Sequence, residues 1–241
     1  MLRPRVSRAK ADWLVPAALV VLSIVPVIVG ISRISNLVDG SPVSTEDARF
    51  FLSPAPVAFH VFAVSTYCLL GAFQFSPGLG RRHPRWHRNA GRLLIPCGLL
   101  AAATGLWMTQ FYAHIGTDSL ALYLMRISVG GAMIAAIILA IIKLRRRDFP
   151  AHGDWMSRAY ALGQGAGTQV LTHLPWFLLI GTPGPRSRAV LMAAGWIINI
   201  AVAEWVIQGR RRLRCHGVFS GEPHRGGSTV IDGSDSPPTQ A

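Results

Sequence analysis

Residues 120–147 read LALYLMRISVGGAMIAAIILAIIKLRRR, an apolar run closed by Lys143, Arg145, Arg146 and Arg147. The apolar part is long enough to cross ~30 Å of hydrocarbon, for which about 20 helical residues suffice. Lys and Arg remain on the cytoplasmic side of a span, so the cationic end also gives its orientation. Working outward, comparable runs occur at roughly 13–32, 57–76, 93–113, 158–180 and 188–208. The expected fold is all-α, a six-span transmembrane helix bundle with a membrane domain over 13–214. Residues 1–12 form a cytoplasmic N-terminus and 215–241 a cytoplasmic tail.

The chain is 51% hydrophobic and yet carries a formal charge of +13. Both hold because the charge is segregated from the apolar runs. Arg3, Arg5, Arg8 and Lys10 precede the first run, Arg81, Arg82, Arg85, Arg88 and Arg92 lie between the second and third, and Arg210, Arg211, Arg212 and Arg214 follow the last. The opposite connections hold only Arg33, Arg49, Arg186 and Arg188, with Asp39, Glu46, Asp47 and Asp118. This alternation places both termini in the cytoplasm. The charge is then a topology signal that also attracts anionic head groups of the lipid bilayer. Nucleic-acid binding would need a basic face on a folded soluble module, and the sequence has none. The first run has the charged start of a signal peptide, but its apolar part is too long and no small-x-small site follows, so a retained anchor is expected.

Cys68 and Cys97 fall within spans and Cys215 in the tail, and there is no Cys-x-x-Cys, which excludes a disulfide framework and a quinone-linked thiol oxidoreductase. Ser44-Thr45-Glu46-Asp47 has the pattern of a capping box and predicts a short interfacial helix through Phe50 and Phe51. The tail is rich in Gly, Ser, Pro and Thr without an apolar period, and is expected to be disordered.

Histidines inside spans mark candidate chemistry, because ionisable groups are costly in lipid. His60 shares a helical face with Val64, Tyr67, Gly71 and Gln74, and His173 one with Gln169, Ala166, Gly165 and Leu162. Opposed at one depth near the outer edge, they would supply the two axial imidazoles of a haem b, with Arg126 pairing to its propionates. The competing explanation is hydrogen-bonded interior histidines that lock the bundle, with Arg126 snorkelling outward. His87 and His152 form a second candidate pair at the cytoplasmic edge, beside His83, Arg92, Asp154 and Arg158. They fit a second bis-histidine haem, another metal ion such as zinc, or an interfacial collar anchored by Trp86 and Trp155. Glu204, the one acid within a span, is expected to pair with Arg210 or the inner arginines. Gly163 and Gly167 form a Gly-x-x-x-Gly that permits close helix approach.

Three motifs in order, Gly71-x-x-Gln74-Phe75, His87-Arg88-x-x-Gly91-Arg92 and His152-x-x-Trp155-Met156-x-Arg158-x-Tyr160-Ala161, resemble the bacterial multi-pass family called domain of unknown function 2306. The resemblance covers about 50–208 and implies a bacterial inner (cytoplasmic) membrane location, but no activity. Gly153 stands where an arginine is common in that family, and 163–169 is richer in glycine than its pattern. The histidine-bearing bundle is similar in style to two-haem membrane cytochromes of the b561 type.

The leading functional expectation is therefore b-type haem electron transfer, with a cytoplasmic donor or quinone pool as partner. The alternative is a non-catalytic, polar-cored membrane bundle serving packing, or the passage of protons or small solutes. A membrane-embedded metal site comes third, and metal-dependent hydrolysis is disfavoured because no acid lies mid-span to act as general base.

Overall fold

The computed structural model describes residues 6–40, 48–113 and 118–219, with side chains described over 12–40, 48–113 and 118–214. The chain divides into two units, Met1–Ile207 and Gln208–Ala241. Among the described residues all regular structure is helical. In chain order the helices are α1 (Val6–Asp39), α2 (Ala48–Leu52), α3 (Pro54–Ala72), α4 (Pro77–Arg82), α5 (Pro84–Phe111), α6 (Leu120–Arg145), α7 (Phe149–Gly163), α8 (Gly165–Leu179) and α9 (Pro185–Phe219). A 3-10 turn at Phe73–Phe75 follows α3.

Local chemistry explains the helix starts. Ser76, Ser119 and Asp148 each accept a bond from a backbone N–H three residues on, capping α4, α6 and α7. Pro54, Pro77 and Pro84 occupy first turns, where the missing N–H costs nothing. The short helix expected through Phe50 and Phe51 is α2; its proposed capping box lies outside the described residues. Helix α9 continues to Phe219, past the expected start of the tail, and the rest of that tail is outside the described residues.

Among the described residues five helices are long and apolar enough to cross a membrane: Asp12–Asp39, Pro54–Phe75, Pro84–Phe111, Leu120–Arg145 and Pro185–Arg214. The fifth run expected at 158–180 is not one continuous helix. It falls across α7 and α8, of 15 residues each, which are interrupted at Gln164. Gln164 has φ −75° and ψ 1°, its N–H bonds the Tyr160 carbonyl, and the Gly167 N–H bonds the Gln164 carbonyl only three residues back. The glycines that the sequence offers here allow neighbours to close on the break from three sides. A methyl on Gly167 would stand 2.5 Å from the Leu22 carbonyl oxygen of α1, one on Gly163 2.9 Å from the Tyr67 ring, and one on Gly165 would collide with the Trp196 indole.

The first unit packs α3 on α5, α6 on α5 and α7, and α1 on α3 and α8. Its core gathers Tyr67, Leu94, Cys97, Met133, Ile137 and Tyr160. Bare glycine backbone makes room for the large rings: Tyr67 lies over Gly98 and Tyr160 over Gly71. The Tyr160 hydroxyl donates to the Cys68 carbonyl at 2.7 Å, tying α7 to α3.

Two glycine substitutions test this packing. Gly167→Val is expected to force α8 from α1 and lower stability by roughly 1–3 kcal/mol, the usual range for overpacking. Gly131 has nothing within 4 Å of a new methyl, so Gly131→Ala should be neutral or stabilising by up to ~1 kcal/mol. Unfolding midpoints in detergent compare the two; equal midpoints would overturn the close-approach reading.

Candidate functional site

Three places collect polar side chains: the break at Gln164, an arginine cluster at the edge that the charge pattern leads us to expect as the outer one, and a histidine edge at the side expected to be the inner one; the two edges are named accordingly. At the break, the Gln164 side chain is 3% exposed. Its Nε2 donates to Ser23 Oγ at 2.8 Å and to the Leu19 carbonyl at 3.2 Å, and Ser23 Oγ itself donates to that carbonyl at 2.8 Å. Gln164 Oε1 is buried and has no partner. The opposite amide orientation would set Oε1 against the Leu19 carbonyl, two acceptors facing each other, so the network itself fixes which end is left open. Neighbouring side chains serve the backbone around the interruption. Cys68 Sγ donates to the Gly163 carbonyl at 3.6 Å, and Asn199 Nδ2 to the Ala161 carbonyl at 3.0 Å. A cavity of about 50 Å³ opens beside the break, between α1, α3 and α8, with Ser23, Ser65, Cys68 and Gln164 as its polar lining.

The outer cluster centres on Asp118, whose side chain is 3% exposed. Arg126 donates to it at 3.2 Å, with Arg49 at 3.6 Å and Arg188 at 3.9 Å. Arg49 also donates to the Ala113 carbonyl at 3.2 Å and stacks on the Phe50 ring, which Arg33 covers as well. Close by, the Tyr112 hydroxyl donates to the Ser53 carbonyl at 2.7 Å, and burial pushes its pKa up, so it stays a donor. Asp118 thus binds α2, α6 and α9 through one carboxylate. The charge pattern led us to expect these groups at one edge; their convergence on a single aspartate depends on tertiary folding and was not legible in the sequence.

At the inner edge, Arg158 and Glu204 form a two-pronged pair, Nε to Oε1 at 2.5 Å and Nη2 to Oε2 at 3.0 Å, with the guanidinium also over the Trp155 ring. The sequence expected Glu204 to meet Arg210 or an inner arginine, and Arg158 is that arginine. His152 Nδ1 bonds the Ala140 carbonyl of α6 at 2.9 Å. Facing a carbonyl, Nδ1 acts as the donor, which leaves Nε2 for another partner. His87 is exposed at the start of α5, next to Gly80, and lies within electrostatic range of His152.

The outer histidines have separate settings. His60 Nδ1 lies 2.9 Å from the Ala101 carbonyl and 3.1 Å from Thr104 Oγ1, on the α3–α5 interface. His173 Nδ1 lies 2.7 Å from the carbonyl of Gln169 on its own helix. Helices α3 and α8, which carry them, are not among the closely packed pairs. Arg126, expected to neutralise propionates, is held by Asp118. Among the described residues no group of three or more His, Cys, Asp or Glu side chains could hold a metal ion.

Fold and site together describe a multi-span α-helical membrane protein with a polar interior at a helix break. A family model described as "Predicted membrane protein (DUF2306)" matches residues 57–207, and the chain belongs to that family. No curated protein and no solved structure matches it.

Asp118→Asn keeps the shape and removes the shared carboxylate. We expect a loss of roughly 3 kcal/mol, the low end for breaking a buried ion pair. Lys143→Ala, at the exposed Lys143–Asp148 pair, should cost less than ~1 kcal/mol. Matching losses in detergent unfolding would remove Asp118 from its central position.

Proposed function

We propose that the protein is a six-span inner-membrane protein with both termini cytoplasmic, whose broken fifth span serves the passage of protons or small solutes. The sixth crossing comes from counting α7 and α8 together. Phe149–Leu179 would extend about 45 Å at 1.5 Å per helical residue, enough for ~30 Å of hydrocarbon. Only that count puts all the strongly basic segments on one side, as the positive-inside rule requires.

The observation that carries the reading is Gln164: a buried amide at a helix interruption, with its acceptor unfilled and a cavity beside it. Irregular backbone at membrane depth is tolerated where it is buried in protein or lines a cavity, and interrupted helices are where transporters place their sites. A bundle needing only to pack would do so at lower cost with an apolar residue at 164.

Reporter fusions and flux measurements test the two halves of this reading. A fusion after residue 214 should report the cytoplasm and one within 38–48 the outer side. The purified chain in liposomes should speed equilibration of protons or of a small solute such as glycerol, and Gln164→Leu should slow it about tenfold, the equivalent of one hydrogen bond at ~1.4 kcal/mol. A periplasmic tail refutes the span count; flux no faster than in empty liposomes refutes passage.

A second reading keeps b-type haem, now at the inner edge, and rests on His152. Its Nδ1 anchored on a carbonyl and Nε2 left available is how ligating histidines are oriented, and His87 is the nearby second imidazole. Protein purified from haem-replete cells should then show a Soret band that shifts with dithionite and disappears in His152→Ala. A colourless, folded preparation rules this reading out.

A further inference from the structure

The cavity beside Gln164 has a chemistry that selects its occupant. We propose that it binds a small, uncharged hydrogen-bond donor, of the size and kind of formamide, urea or a short alcohol; this rests on the passage reading and specifies what is carried. Three observations lead there. The first is the open valence. Within the Ser23–Gln164–Leu19 network the Gln164 amide N–H groups and the Ser23 hydroxyl proton are already committed, while Gln164 Oε1 has no partner at 3% exposure. A buried acceptor that lacks a partner favours a ligand bringing an N–H or O–H.

The second observation is charge. Among the described residues no carboxylate, ammonium, guanidinium or imidazole lines the cavity; its polar groups are hydroxyls, a thiol and one amide. A charged guest would be desolvated there without a counter-charge, which is prohibitive in a low-dielectric interior. The paired arginines and acids are held elsewhere, Arg158 with Glu204 and Arg126 with Asp118. The third is size. About 50 Å³ accommodates a few waters or one guest of a few heavy atoms, and Gly30 and Gly167 bring bare backbone to its wall. The apolar remainder, from Val27, Val61 and Val64, suits the carbon side of such a guest.

Formamide and formate are close in shape, differ in charge and donor capacity, and each carry one C–H proton. They are the probes. Saturation-transfer NMR on the detergent-purified full chain should give transfer to formamide and none to formate. Gln164→Leu removes the acceptor. Ala166→Leu, from an exposed position on the cavity wall, fills the space without rebuilding the break. Each should weaken formamide binding about tenfold while eluting from size exclusion like the parent. Transfer to formate equal to that to formamide overturns the proposal, and so does formamide transfer unaffected by both variants. Liposome flux is independent of this measurement. Gln164-dependent proton flux without formamide binding leaves passage standing and refutes the solute class. Formamide binding without any flux leaves the site standing and refutes passage.

Discussion

In hydrocarbon every backbone N–H and C=O needs a partner within the protein, because no water is available to replace one. That constraint bears hardest on the chain between Tyr160 and Thr168, where α7 gives way to α8. A continuous helix would meet it without help. Here side chains of two neighbouring helices attend to it, Asn199 of α9 at the Ala161 carbonyl and Cys68 of α3 at the Gly163 carbonyl, while Gln164 itself donates to the Leu19 carbonyl of α1. These contacts involve three different helices, α9, α3 and α1, which therefore gather around the interruption. Thr168 adds a further tie by donating to Asn199 Oδ1 at 2.5 Å.

Proline contributes to the same place from the opposite partner. Pro26 has no N–H, so the Leu22 carbonyl four residues earlier loses its usual helical donor. The backbone of α8 passes close to that carbonyl at Gly167, where an added methyl would collide with it. Two local irregularities, a proline in α1 and a break between α7 and α8, therefore face one another. Cα–H contacts from glycine to a carbonyl are weak, on the order of 0.5–1 kcal/mol, but they require the absence of a side chain. The Gly-x-x-x-Gly at 163 and 167 is thus divided in its work, with Gly163 receiving the Tyr67 ring and Gly167 the α1 backbone.

Much of the architecture was legible from sequence because it follows from long-range composition. Five of the six apolar runs fall, to within a few residues, inside helices long and apolar enough to cross a membrane. The motif residues of the resemblance likewise identified the family. The fifth run was harder. Residues 158–180 are apolar enough to suggest one span, and nothing in hydropathy distinguishes a continuous helix from one interrupted by a single residue. The available signal was Gly163-Gln164-Gly165-Ala166-Gly167, a polar residue among poor helix formers. The histidines show the opposite limit. His60 and His173 share a depth by residue count, but depth says nothing about which helices adjoin. Bundle order is set by tertiary packing, and that order gives His60 to α5 and leaves His173 bonded to its own helix.

The two edges of the bundle are built on different electrostatic plans, and the difference bears on where mobility is tolerable. At the outer edge one buried carboxylate draws in arginines from α2, α6 and α9, so each element's position depends on the others. At the other edge Arg158 grips Glu204 with two prongs, and Lys143 meets Asp148 in a partly exposed pair. Exposed pairs contribute little and are readily exchanged for water, whereas a shared buried charge resists rearrangement until all its partners move. The cavity at Gln164, lined mostly by α1 and α3 with the break and the start of α8, takes none of the charged residues of either edge into its described lining.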